Sequence, residues 1–111
     1  MSEQPIEGVK LCFYAHVRAR HDGMLLSEWL LEQARRLGIG GGSAFRATAG
    51  FGRHGVLHEE AFFELADNLP VKVEFLLRVE QADAFLARVR EEHVDVVYAT
   101  STIRFGVLGA Q

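Results

Sequence analysis

Apolar and polar residues alternate from Val9 to Val17. Val9, Leu11, Phe13, Ala15 and Val17 share one side, and Lys10, Cys12, Tyr14 and His16 the other. A period of two predicts a strand with one buried face. Cys12 and Tyr14 make the second face mixed, which predicts partial cover there too. From Met24 to Leu37 the period changes. Leu26, Leu30, Ala34 and Leu37 recur at helical spacing and Leu25 and Trp29 widen the stripe, so an amphipathic helix is predicted. Asp22 is the expected N-cap, because its carboxylate can accept from free backbone N–H groups. Gly38 is expected to end the helix in a left-handed turn, and Arg35 and Arg36 suit the exposed carbonyls of its last turn. Beyond the joint at Gly40, Gly41 and Gly42, the run from Ser43 to Ala49 predicts a second strand, with Phe45, Ala47 and Ala49 opposed to Arg46 and Thr48. Residues 58–68 fit a short helix or a short edge strand. Pro70 opens the clearest strand: Val71, Val73, Phe75, Leu77 and Val79 face inward, Lys72, Glu74, Leu76 and Arg78 outward. Gln81 to His93 predicts a second helix buried through Ala82, Phe85, Leu86 and Val89. The tail predicts a last strand built from Val94–Ala99 and Thr102–Leu108, broken around Thr100 and Ser101.

The resulting order is strand, helix, strand, strand, helix, strand. Each helix has one apolar stripe and each principal strand one apolar face, so two helices covering one side of an antiparallel sheet bury both. That is the α+β, ferredoxin-like βαββαβ arrangement. Residues 9–108 are the expected single domain, with residues 1–8 as a flexible lead-in and 109–111 as a tail. The far face of the sheet is left open, with Tyr14, Cys12, Leu76 and Tyr98 expected on it. A part-apolar open face in a small domain predicts self-association.

Size and charge narrow the picture. The chain has 111 residues, 49% of them hydrophobic, which suits one core. A formal charge of −3 gives no global electrostatic case for nucleic acid. A single cysteine, Cys12, excludes an internal disulfide and a multi-cysteine zinc site, and fits a reducing compartment. The polar opening MSEQPIEG lacks a signal core, and no apolar run is long enough to span a membrane. The expected setting is cytoplasmic, without membrane insertion.

The chemistry concentrates in GFGRHGVLH, residues 50–58. Gly50, Gly52 and Gly55 free the backbone for an anion-gripping concavity. Arg53 adds a planar cationic fork suited to phosphate or carboxylate, and His54 and His58 add hydrogen-bond donors or metal ligands. A connecting loop with no ligand is the plainer reading. The pattern G-x-G-x-x-G is present but opens no helix in a parallel βαβ unit, so it is not a dinucleotide fingerprint, and no Walker sequence follows. His54 and His58, or His16 across the fold, are the metal alternative. His58 beside Glu59, Glu60 and Glu64 is a hydrolase alternative that lacks a recognisable nucleophile. Cys12 reads as a small buried hydrophobe. Lys72 and Arg78 share the outward face of the strongest strand, and Arg46 is expected to join them from its neighbour. Packed between subunits, these cations would favour an anionic ligand.

The stretch ARRLGIGGGSAFRATAGFGRHGVLHEEAFFELADNLPVKVEFL resembles the PII-like family filed as domain of unknown function 190. The resemblance rests on the turn from Gly38 to Ser43, Arg46, Gly50-Phe51-Gly52, His58, Phe62 to Leu65, Asp67 to Pro70, and the strand from Val71 to Leu77. Leu26 and Glu28 of the first helix also fit, and the likeness covers about residues 9 to 98. Glu59 stands where the family commonly has Thr, and Asn68-Leu69 separates Asp67 from Pro70 where Asp-Leu-Pro is usual. The tail from Tyr98 to Gln111 is less typical. The departures bear on the ligand more than on the fold. The resemblance implies a trimer of ferredoxin-like subunits related to the PII signal transducers. It further implies an adenine-nucleotide effector in inter-subunit clefts, with loop 50–60 meeting a protein partner. The candidate ligand-binding residues are Arg46, Gly50, Phe51, Gly52, Arg53, His54, His58 and Lys72. No catalytic residue and no metal ligand is assigned.

Overall fold

The computed structural model describes residues 4–50 and 69–109. β1 spans Ile6–His16, longer at its start than the alternation alone predicts, because Ile6 still pairs with Phe105. Leu11, Phe13 and Ala15 are buried on one side, as expected, while Tyr14 and His16 are exposed on the other.

A hairpin follows, where the sequence pattern predicts no strand. β2 (Arg20–His21) and β3 (Met24–Leu25) pair through Asp22 and Gly23, with φ of 54° and 82°. Both central residues of this turn are left-handed, the geometry that an Asp-Gly pair favours in two-residue hairpins. Asp22 is therefore not the helix N-cap. α1 (Leu26–Arg36) starts only after the hairpin closes, with Leu25 at the N-cap position and no side-chain cap. The Leu26 N–H donates instead to the Ala19 carbonyl at 2.7 Å. Its buried stripe is Leu26, Trp29, Leu30, Gln33 and Ala34. Gly38 ends it with φ 79°. There the Ile39 and Gly38 N–H groups donate back to Ala34 and Arg35, which closes the carbonyls of the last turn.

β4 (Gly42–Arg46) is short and exposed at every residue. β5 (Pro70–Arg78) buries Val71, Val73, Phe75 and Leu77 as its alternation predicts. α2 (Val79–Glu91) begins directly after it, its start held by the Arg78 N–H donating to Gln81 Oε1 at 2.9 Å. Ala82, Phe85 and Val89 face the core. β6 (Val97–Phe105) is one unbroken strand rather than two pieces, because Thr100 and Ser101 pair with Leu11 and Lys10 without interruption.

The four long strands form one sheet in the order β4-β5-β1-β6, antiparallel throughout. Counting only these strands, the order is second, third, first, fourth, which is the ferredoxin-like fold. Both helices lie on one face. Phe13, Phe75 and Phe85 meet between the layers with ring centroids 5.0–6.3 Å apart in tilted and edge-to-face contacts. Gly42 faces this layer: a β-carbon there would collide with the Phe75 ring and press on Leu31.

A polar clasp joins the hairpin to both helices. His21 Nε2 lies 3.0 Å from Glu92 Oε1, and its ring sits edge-on to Trp29 at 4.5 Å. Arg88 donates to Glu92 Oε2 at 2.9 Å and to Gln33 Oε1 at 3.0 Å, which satisfies the one buried polar side chain among the described residues. The His21 hydrogen bond, followed by the Arg88 charge, holds the Glu92 carboxyl below its ordinary value of 4.5. A carboxyl with a depressed pKa in the folded state stabilises the fold above its unfolded pKa and loses that contribution as pH falls through the folded one. Urea melts are therefore expected to show falling stability on acidification below about pH 5, with a shallower fall in Glu92→Gln. An unchanged slope in that variant would show that the clasp does not titrate. Gly42→Val is expected to cost about 1–3 kcal/mol in the same melts, because an added side chain overpacks Phe75.

Candidate functional site

The strand pairings order the side chains of the open face into rows running straight across the sheet. One row is Phe45, Lys72, Tyr14 and Val97; the next is Ser43, Glu74, Cys12 and Ala99. Tyr14 is 43% exposed, Phe45 48%, Leu76 46% and Val97 40%, so the open face is a part-apolar surface exposed to solvent in the single chain.

Lys72 sits in the middle of this surface. Its Nζ is 3.2 Å from Glu74 Oε1 and 5.1 Å from the centre of the Phe45 ring. The hydrogen bond and charge of Glu74 raise the Lys72 pKa and keep the ammonium protonated. The same carboxylate oxygen lies 4.0 Å from Cys12 Sγ. Lys72 is thus a cation with a carboxylate already beside it, and an incoming anion competes with Glu74. The i, i+2 spacing of Lys72 and Glu74 along one strand face is the sequence signal for this pair.

Arg46 and Phe45 fall on the faces opposite to those expected. Pairing of Gly42 with Phe75 sets the register, so Phe45 lies beside Lys72 on the open face and Arg46 beside Val71 on the helix-bearing face. The physical reason is that β4 is an edge strand with almost no core to reach. Gly42 occupies the position facing Phe75, and Phe45 is left to the other side. Tyr98 is also corrected: it pairs with Phe13 and lies on the helix-bearing face, 49% exposed. Arg78 stays on the open face, opposite Gly8.

Gly50 has no left-handed backbone, and a β-carbon there would rest in ordinary contact with the Pro70 ring at 3.5 Å. The end of the sheet is where chain 47–50 meets Pro70: Ala47 N–H donates to the Pro70 carbonyl at 3.0 Å, and Pro70 pairs with His16. His16 Nδ1 accepts from the Arg18 N–H at 3.0 Å, which occupies that ring nitrogen. Phe51, Gly52, Arg53, His54 and His58 lie outside the described residues, as do Gly55, Glu59, Glu60 and Glu64 and the helix-or-strand alternative for 58–68. Among the described residues no group of three or more side chains could hold a metal ion, and no helix is long and apolar enough to cross a membrane.

The fold has clear relatives. A PII-like signalling protein of Thermus thermophilus superposes with a TM-score of 0.65 at 21% identity, covering 93% of each chain. CPII, a nitrogen regulatory PII-like protein of Thiomonas intermedia K12 solved with ADP, AMP and bicarbonate, superposes with a TM-score of 0.66 at 17% identity, covering 96% of this chain and 94% of its own. At these identities the likeness speaks for the fold. A UPF0166 protein of Aquifex aeolicus (strain VF5) is 32% identical over 85 residues, covering 69% of this chain and 81% of its own. Residues 8–104 match the family described as an uncharacterised ACR, domain of unknown function 190, and the chain belongs to that family.

Proposed function

We propose that this chain is a non-enzymatic PII-like signalling or regulatory protein, working as a cytoplasmic homotrimer. An anionic effector, an adenine nucleotide, binds in the clefts between subunits, and loop 50–60 reports its presence to a partner. The observation that carries the reading is the open sheet face. Tyr14, Phe45, Leu76 and Val97 are large side chains left between 40% and 48% exposed on one side of a small domain. Burying such a surface is favourable by about 25 cal/mol per Å², and sister copies are the partners always at hand. The ligand class is supported by CPII, which is solved with ADP, AMP and bicarbonate, and also with ADP, AMP and acetate. Arg46, Gly50, Phe51, Gly52, Arg53, His54 and His58 are the proposed ligand-binding residues. Lys72 leaves that set, because the strand register puts it on the face opposite Arg46 and Glu74 already shares its charge. Ordering of a loop by a bound anion is an established kind of switch.

Calorimetry with ATP, ADP and AMP, with and without bicarbonate, tests the ligand. Binding is expected for at least one adenine nucleotide, and Arg46→Ala is expected to weaken it about tenfold or more, the loss of roughly 1.4 kcal/mol. No heat from any of them, with the assembly intact, rejects the nucleotide reading. Sedimentation velocity tests the assembly. Wild type is expected as a trimer at micromolar concentration, and Tyr14→Lys, which sets a second ammonium beside Lys72, is expected to disperse it. A monomeric wild type rejects the role given to the open face.

A further inference from the structure

Charge on the open face is unevenly matched. Along its strands that face carries the cations Lys10, Lys72 and Arg78, and Glu74 is its one carboxylate among the described residues. Glu74 is already engaged by Lys72 at 3.2 Å. Each copy therefore presents two positive charges in excess on this side, although the whole chain has a formal charge of −3. The helix-bearing side differs: there Arg104 of β6 meets Glu7 of β1 at 3.3 Å.

The register brings the two unmatched cations together. Lys10 pairs with Leu76, and Arg78 lies two residues further along β5, so the two are diagonal neighbours. Diagonal positions lie about 7–8 Å apart, a gap that one small oxoanion can bridge between two long side chains. Ser101 stands directly beside Lys10 on β6 and adds a hydroxyl donor. Gly8, opposite Arg78, presents no side chain, and a β-carbon there would collide with the Phe105 ring. Leu76, Ile103 and Phe105 make the surroundings apolar. Lys10 is half-buried even in the single chain.

We propose that Lys10, Arg78 and Ser101 form an oxoanion site, which takes a small divalent anion of the phosphate or sulfate type and is filled when the open face is covered. Covering of that face is the assembly reading above, on which the site rests, but its place is distinct from the effector cleft. Lys10 lies six residues before His16 on β1, about 20 Å along the strand from the pole where Gly50 and Pro70 meet, and on the face opposite Arg46.

The reason for the site is electrostatic. A cation that loses its water without gaining a partner is strongly disfavoured. Sister copies that meet through their open faces bring the same excess with them, so no copy neutralises another. The one described carboxylate that each brings on this face is the one its own Lys72 holds. A divalent anion in each copy removes the excess. The guanidinium can take two of its oxygens at once, with the ammonium and the hydroxyl on the others. Apolar walls then strengthen every contact, because little water is left to screen it.

Two variants remove the excess charge without an ion: Lys10→Glu, and the double variant Lys10→Met with Arg78→Met. Wild type and both variants are incubated with inorganic phosphate or sulfate and desalted into chloride, and the anions released on acid denaturation are separated by ion chromatography. The wild type is expected to release at least one phosphate or sulfate per assembly, and the variants none. The ion that protein purified without added phosphate or sulfate releases distinguishes the two sources, and release of an organic carboxylate alone overturns the assigned class. Sedimentation velocity then compares wild type, stripped by exhaustive dialysis against concentrated chloride, in chloride and in phosphate of matched ionic strength. Assembly is expected to be about tenfold or more tighter in phosphate, whereas both variants assemble equally in the two salts and as tightly as the phosphate-loaded wild type. A general salting effect would act on the variants too, so an equal phosphate response in them means an adventitious ion only and overturns the site. An assembled wild type that holds no oxoanion and ignores phosphate overturns the site and leaves the assembly standing. A wild type that is monomeric in both salts overturns the site and the assembly reading together.

Discussion

The position of β1 decides which side chains face which way. It pairs with β5 from Gly8 to His16 and with β6 from Ile6 to Tyr14, so two strands take their facing from one. Because side chains alternate with a period of two, a slip of β5 by one residue against β1 would move Val73 and Phe75 out of the core and Lys72 and Glu74 into it. The aromatic cluster of Phe13, Phe75 and Phe85 makes that slip prohibitive. The make-up of the open face, including the row from Phe45 to Val97, is a consequence of the register that this cluster enforces.

Parts of this were legible because one force acted alone. β5 alternates cleanly, since its inner residues are buried under the helix layer and its outer residues are not. The stripe of α1 and its left-handed end at Gly38 follow from helix geometry and need no tertiary information. The sequence was silent where two demands competed. Phe45 looks like a core residue by type, yet Gly42 had to face Phe75 and the strand period then carried Phe45 outward. Asp22 could cap a helix or turn a hairpin, and the glycine after it favoured the hairpin. Tyr98 and the unbroken β6 depend on pairing with a strand some ninety positions earlier, which no local pattern reports. Of the candidate site, Arg46, Gly50 and Lys72 fall in described segments, and the strand register places the two cations on opposite faces of the sheet.

Lys72 and Glu74 set a charged pair into two neighbouring rows of a part-apolar surface. Such a pair gains little stability when covered, since both groups must shed water. Its geometry is nevertheless demanding: ammonium, carboxylate and the Phe45 ring are mutually placed within one strand pair. A neighbour docking on this face meets a fixed pattern of polar and apolar patches, which restricts the ways in which it can sit.

The adjacency of Ile6 and Phe105 has a practical side. These residues are partners at one end of β1, whereas His16 and Pro70 are partners at the other. Sequence appended before Ile6 or after Phe105 therefore emerges about 30 Å, one strand length, from the place where Gly50 and Leu69 leave and rejoin the sheet. Labels, surface tethers or fused reporters attached at that pole would stand clear of the opposite one. A matched dye pair split between the two poles would have the whole length of the central strand as its internal ruler.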